Sequence, residues 1–193
     1  KERALATFNA LQSDAEKLKE TIYSNALKTF DTHFQAYHAD KEKLADYVRY
    51  LIAQGSSLRD RPSLANLQLL VKALDEENAL DFSRVDAERK QLVDRLVEKL
   101  TKADLQDLVN KSVDLRADRM GLSDYHAHLR KICLDHKIAL DDFPQLTRYI
   151  SYVLLADNIN RKSLLSEMDL LERTLPESLA KSSEEKKLVS LAH

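Results

Sequence analysis

Glycine occurs only twice in 193 residues, at Gly55 and Gly121, and proline only three times. So few backbone breakers exclude a fold of tight hairpins and glycine-rich loops. Two glycines so far apart also leave no room for Gly-x-Gly-x-x-Gly, a phosphate loop or a Gly-x-Ser-x-Gly elbow. The common nucleotide-binding loops and the α/β-hydrolase nucleophile are thereby removed. Cys133 is the single cysteine, so no disulfide forms within the chain. One thiol is compatible with the cytosol. No apolar run approaches the roughly 18 residues that span a bilayer, so direct membrane insertion is not expected. Charge of one sign is lacking too. Thirty Lys plus Arg face thirty-two Asp plus Glu, for a net charge of −2. That balance argues against a general nucleic-acid binder, which carries a basic footprint, and against an anionic membrane surface. Strand-like alternation, low-complexity tracts and a fixed-period repeat are also missing, so a stacked α-solenoid ranks below a bundle.

What remains is helical. Apolar residues make up 44% and charged residues 32% of the chain, which suits a soluble, helix-rich protein. The stretch around which the rest is organised runs from Phe143 to Ala156. Phe143, Leu146, Ile150, Val153 and Leu154 recur at helical spacing, and Tyr149, Tyr152 and Leu155 add apolar surface elsewhere. A helix apolar nearly all round is a buried one, and Pro144 fits its first turn.

From residue 2 to 38 there is no glycine or proline, and the apolar positions recur every three or four residues from Leu5 to Tyr37. This predicts one long amphipathic helix, about 55 Å at 1.5 Å per residue. Its start inside the pattern, without methionine, is read as a fragment of a longer protein. Asp40 is the expected cap of a helix over 41–54 that Gly55 ends. Further helices are expected over 63–78, 83–100 and from a Thr101–Asp104 capping box to Gly121. Others follow over 124–137 behind Ser123, over 144–156 behind Asp141 or Asp142, and over 161–175 behind Asn160. Pro176 is expected to interrupt the last of these, leaving a short or frayed tail. The stripe expected for the helix after Thr101 is Leu105, Leu108, Val109, Val113 and Met120. The fold class expected is all-α, a bundle of seven to nine helices. Residues 1–55 would form a long N-terminal helix with a short return helix, and 62–193 a compact bundle, or both together one domain.

Metal-capable residues cluster once: Asp124, His126, His128, Cys133 and His136. His126 and His128 lie about 200° apart on a helix and cannot face one ion, and Cys133 reads as a small core residue. No Glu-x-x-His or HExxH motif is present, so no metal site and no cofactor are expected. His33 and His38 point in different directions and read as surface residues. Asp75-Glu76-Glu77 and Asp141-Asp142 read as solvated helix ends rather than catalytic carboxylates. Arg116, Arg119, Arg130, Lys131 and Arg148 are interleaved with Asp114, Asp118, Asp124 and Asp135, which predicts surface ion pairs rather than a basic groove. Tyr47 with Tyr50, and Tyr149 with Tyr152, read as core packing with hydroxyls at the rim.

The functional expectation is a non-catalytic protein–protein interaction or scaffold module. Its partner would be another protein chain or a second copy, met through the N-terminal stripe Leu5, Phe8, Leu11, Leu18 and Ile22. The alternatives are a ligand-sensing bundle with a polar pocket around Arg148, Tyr149 or Tyr152, and a bundle-core metal enzyme.

Overall fold

Helices account for all regular structure among the described residues, 14–58 and 63–192 of the computed structural model. In chain order they are α1 (14–22), α2 (Asn25–His38), α3 (Leu44–Gly55), α4 (Ala65–Asn78), α5 (Phe82–Lys99), α6 (Lys102–Arg116) and α7 (Leu122–Asp135). A 3-10 turn, Leu140–Asp142, leads into α8 (Pro144–Asp157), α9 (Arg161–Leu179) and α10 (Ser183–Ala192). The all-α expectation holds, with ten helices among the described residues instead of seven to nine.

The expected long N-terminal helix is not one helix. It stops at residue 22 and restarts at Asn25, because Ser24 is extended, with φ −62° and ψ 163°. The longest described helix is α9, with 19 residues. Asp40 does not cap α3 either. It takes a left-handed φ of 55° at the end of α2, and α3 begins at Leu44. Pro176 does not interrupt α9, which continues to Leu179 with the proline buried inside its last turn. Only one backbone N–H is lost that close to a helix end, so the break is not enforced. The tail is α10, with Val189 buried.

The chain divides into two compact units, one of residues 1–67 with 161–193 and the other of residues 68–160. In the first unit α9 packs on α2, α3 and α10. Leu51, Leu67, Leu171 and Leu175 are fully buried there. A smaller cluster there joins Tyr23 and Leu27 to Ala180 and Val189. Gly55 is the close-approach point of α3 and α9. A Cβ there would stand 2.8 Å from Leu171 Cδ2, so any larger residue would force that buried leucine to move; the glycine serves the close approach, not a left-handed turn.

The second unit is built on α8, which packs against α5 and α7. Phe143, Leu146 and Ile150 interlock with Val85, Leu92 and Leu96 of α5 and with Leu129, Ile132 and Cys133 of α7. Each such side chain contributes about 1.5–3 kcal/mol on burial. This is the core expected around Phe143–Ala156.

Three helix starts are held by glutamates from distant parts of the chain. Glu167 accepts the N–H groups of Asn66 (3.2 Å) and Leu67 (3.0 Å) at the start of α4. Glu88 accepts the Leu146 N–H of α8 at 2.8 Å. Glu185 accepts the Ser24 N–H at 2.8 Å, and those of Lys181 (2.8 Å) and Ser182 (2.9 Å) ahead of its own helix. Each satisfies donors that a helix start leaves open. The Thr101 cap is local and as expected: its hydroxyl oxygen accepts the Asp104 N–H at 3.2 Å.

Candidate functional site

Polar clusters, open crevices and exposed apolar faces are the places where this fold can meet another molecule. In the first unit, α2 and α3 put aromatic rings and histidines beside Glu172 of α9. Tyr47 is fully buried and donates its hydroxyl to Glu172 at 2.8 Å, while its ring stacks on Tyr37 at 4.3 Å. Burial, then the Glu172 hydrogen bond and charge, push its phenol far above the ordinary range, so it remains a donor. His38 Nε2 lies 3.2 Å from the same carboxylate. His33 stacks on Tyr50 at 4.0 Å and meets Glu42 at 2.7 Å. The two histidines thus go to different partners, as their spacing implied. Tyr47 belongs to the core, with its hydroxyl taken by Glu172.

Beside α1 and α2 an open crevice of about 480 Å³ is lined by Glu16, Lys19, Tyr23, Lys28, Asp31 and Gln35, among others. Its charges answer one another: Lys19 lies 2.7 Å from Asp31 and 3.3 Å from Glu16.

In the second unit, His126 is buried edge-on against Tyr149, 5.5 Å between ring centroids. Its Nδ1 finds no hydrogen-bond partner among the described residues. Burial, with the Arg89 charge adding to it, lowers its pKa to about 4, so the ring is neutral at pH 7. Cys133 is buried and its thiol is pushed up to about 11, which makes it a core side chain rather than a nucleophile. His128 goes to Asp107 at 3.1 Å and His136 to Asp104 at 3.3 Å, both on α6. Among the described residues no three His, Cys, Asp or Glu side chains gather to hold a metal ion.

The cations reading as surface ion pairs divide. Arg119 pairs with Asp114 at 2.7 Å, Lys131 with Asp135 at 2.6 Å and Arg148 with Glu76 at 3.1 Å. Asp142 meets Arg95. Arg116 and Arg130 pair with no carboxylate among the described residues. Arg148 lines a shallow crevice of about 300 Å³ with Glu76, Asp141, Pro144, Thr147 and Ser151, which does not include Tyr149 or Tyr152.

Of the expected interaction stripe, Leu5, Phe8 and Leu11 lie outside the described residues. Leu18 is 50% exposed on α1, and Ile22 one turn later is half-buried. The face that sequence reasoning missed is on α6. No residue of α6 is buried, and Val109 and Val113 are each 50% exposed. The expected stripe merged them with Leu105 and Leu108, which are half-buried. At about 100° per residue Leu108 lies about 100° from Val109 and about 140° from Val113, while Leu105 stands between them, about 40° from Val109. Among the described residues, no helix is long and apolar enough to cross a membrane. No family model, curated protein or solved structure matches the chain.

Proposed function

We infer that this all-helical chain is a non-catalytic protein–protein interaction or scaffold module. Its docking surface is the N-terminal stripe of Leu5, Phe8, Leu11, Leu18 and Ile22. The observation that carries the reading is Leu18, half exposed on α1 one turn ahead of half-buried Ile22. An amphipathic helix gains most of its stability by covering its apolar face, so a surface leucine in line with that stripe favours a second protein surface. The occupant proposed is a second chain of this protein, with a different protein as the alternative outcome.

The test is sedimentation of the full chain with and without F8E/L11E/L18E. The wild type is expected to associate, and the triple variant to keep its helical content and thermal midpoint while sedimenting as a monomer. A wild type that stays monomeric at high concentration overturns the reading.

A further inference from the structure

Charge divides α6 lengthwise. Its acids are spent on one side and around its end: Asp104 on His136 at 3.3 Å, Asp107 on His128 at 3.1 Å and Asp114 on Arg119 at 2.7 Å. Leu108, Lys111, Ser112 and Leu115 fall toward α7, against which α6 packs. A second face, centred about 130° round the helix from the first, runs Lys102, Gln106, Val109, Val113 and Arg116, spaced four, three, four and three residues apart and all exposed. No acid lies in this run. Neither Lys102 nor Arg116 pairs with a carboxylate among the described residues. From Lys102 to Arg116 is about 21 Å of helix, four turns with an apolar middle and a cation at each end.

We propose that this face of α6 docks an amphipathic helix of a partner protein whose apolar stripe is flanked by acidic residues. It is a second surface, apart from α1, and goes beyond the N-terminal docking reading. Charge complementarity selects the occupant. An antiparallel second copy centred between Val109 and Val113 would lay Arg116 over Gln106, not over an acid, and would carry Lys102 past the end of the partner copy's α6. A polyanion or an anionic lipid surface would find cations only at the two ends, with valines between. An acid-flanked helix covers the valines and neutralises both ends, and such a charge match sets specificity as well as association rate.

The probe is a fluorescent synthetic helical peptide with a leucine stripe flanked by glutamates, compared with the same stripe flanked by lysines. Anisotropy is read against the full chain. The glutamate peptide is expected to bind with a Kd in the range of about 1–100 µM. K102E/R116E should weaken it about tenfold or more and strengthen the lysine peptide in the same measure. V109Q/V113Q should weaken both, while K162E/K186E, an equal change of net charge on α9 and α10, should change neither. Exposed positions leave the melting curve in place, which is checked for each variant. F8E/L11E/L18E should retain peptide binding, which keeps this surface distinguishable from the N-terminal one. Equal affinity for the two peptides, no binding of the glutamate peptide, or equal loss in K162E/K186E overturns the proposal. A dimer abolished by V109Q/V113Q, or binding to phosphatidylserine vesicles without peptide binding, overturns it as well.

Discussion

The Glu185 carboxylate accepts the Ser24 backbone N–H at 2.8 Å, across 161 positions of sequence. That bond sits where α1 gives way to α2, and the same carboxylate holds the start of α10. Three backbone N–H groups, those of Ser182, Ser24 and Lys181, lower its pKa from 4.5 to about 2. A folded-state pKa below the unfolded one contributes stability that is present above pH 4.5 and lost as pH falls from there toward 2. Glu185→Gln should therefore melt below wild type at pH 7, and the gap should close across that acid window. Melting midpoints taken from pH 7 to pH 2 check this; a gap independent of pH would show that the ionised carboxylate is not what holds the junction.

His126 predicts a different pH window. Its ring is buried and its pKa is depressed from 6.5 to about 4, first by burial and then by Arg89. The unfolded chain takes up a proton below pH 6.5 that the folded chain refuses until about pH 4, so stability falls as pH drops through that interval. At 1.36 kcal/mol per pKa unit the loss approaches about 3 kcal/mol. His126→Leu should flatten the stability profile between pH 6.5 and 4 and leave the Glu185 window below it. Denaturant titrations at several pH values separate the two, and an unchanged slope in His126→Leu would refute the assignment.

What was legible in the sequence was local. Thr101 and Asp104 are three residues apart and cap α6 where that spacing placed them. Pro144 opens α8, and the apolar spacing of Leu146, Ile150 and Val153 marks its buried face. The break between α1 and α2 was not legible, because its polar partner comes from α10. Helix ends were also hidden. Asp40, Asp118 and Lys137 turn the chain in left-handed geometry without glycine, at φ 55°, 52° and 55°. The α6 face was concealed by its own composition: Val109 is next to Leu108 in sequence yet lies about 100° away on the helix.

The core prediction contrasts two apolar residues. Ile150 is 1% exposed between α5 and α7, whereas Leu191 is 83% exposed on α10. Ile150→Ala should cost about 2–5 kcal/mol through lost transfer energy and the cavity left behind. Leu191→Ala should cost less than about 0.5 kcal/mol. Equal losses in denaturant titrations would contradict the placement of the core on α8.

Lys137 supplies the last prediction. It closes α7 at φ 55°, with the Ile138 N–H bonding back to the Cys133 carbonyl at 2.8 Å. This is the helix-ending geometry in which glycine is preferred. A Cβ in the left-handed region costs an L residue about 1–2 kcal/mol. Lys137→Gly removes that strain but adds freedom to the unfolded chain, which returns about 0.4–1 kcal/mol. The side chain is exposed, so little contact is lost. The net expectation is a gain of about 0.5–1 kcal/mol, a glycine that stabilises. Lys131→Gly, at an exposed position inside the same helix, should instead lose about 1 kcal/mol. Asp118→Gly should gain less than Lys137→Gly, because aspartate tolerates the left-handed region better than lysine. Urea titrations of the three variants read the ordering directly, and a loss at Lys137→Gly as large as that at Lys131→Gly would show that the turn carries no such strain.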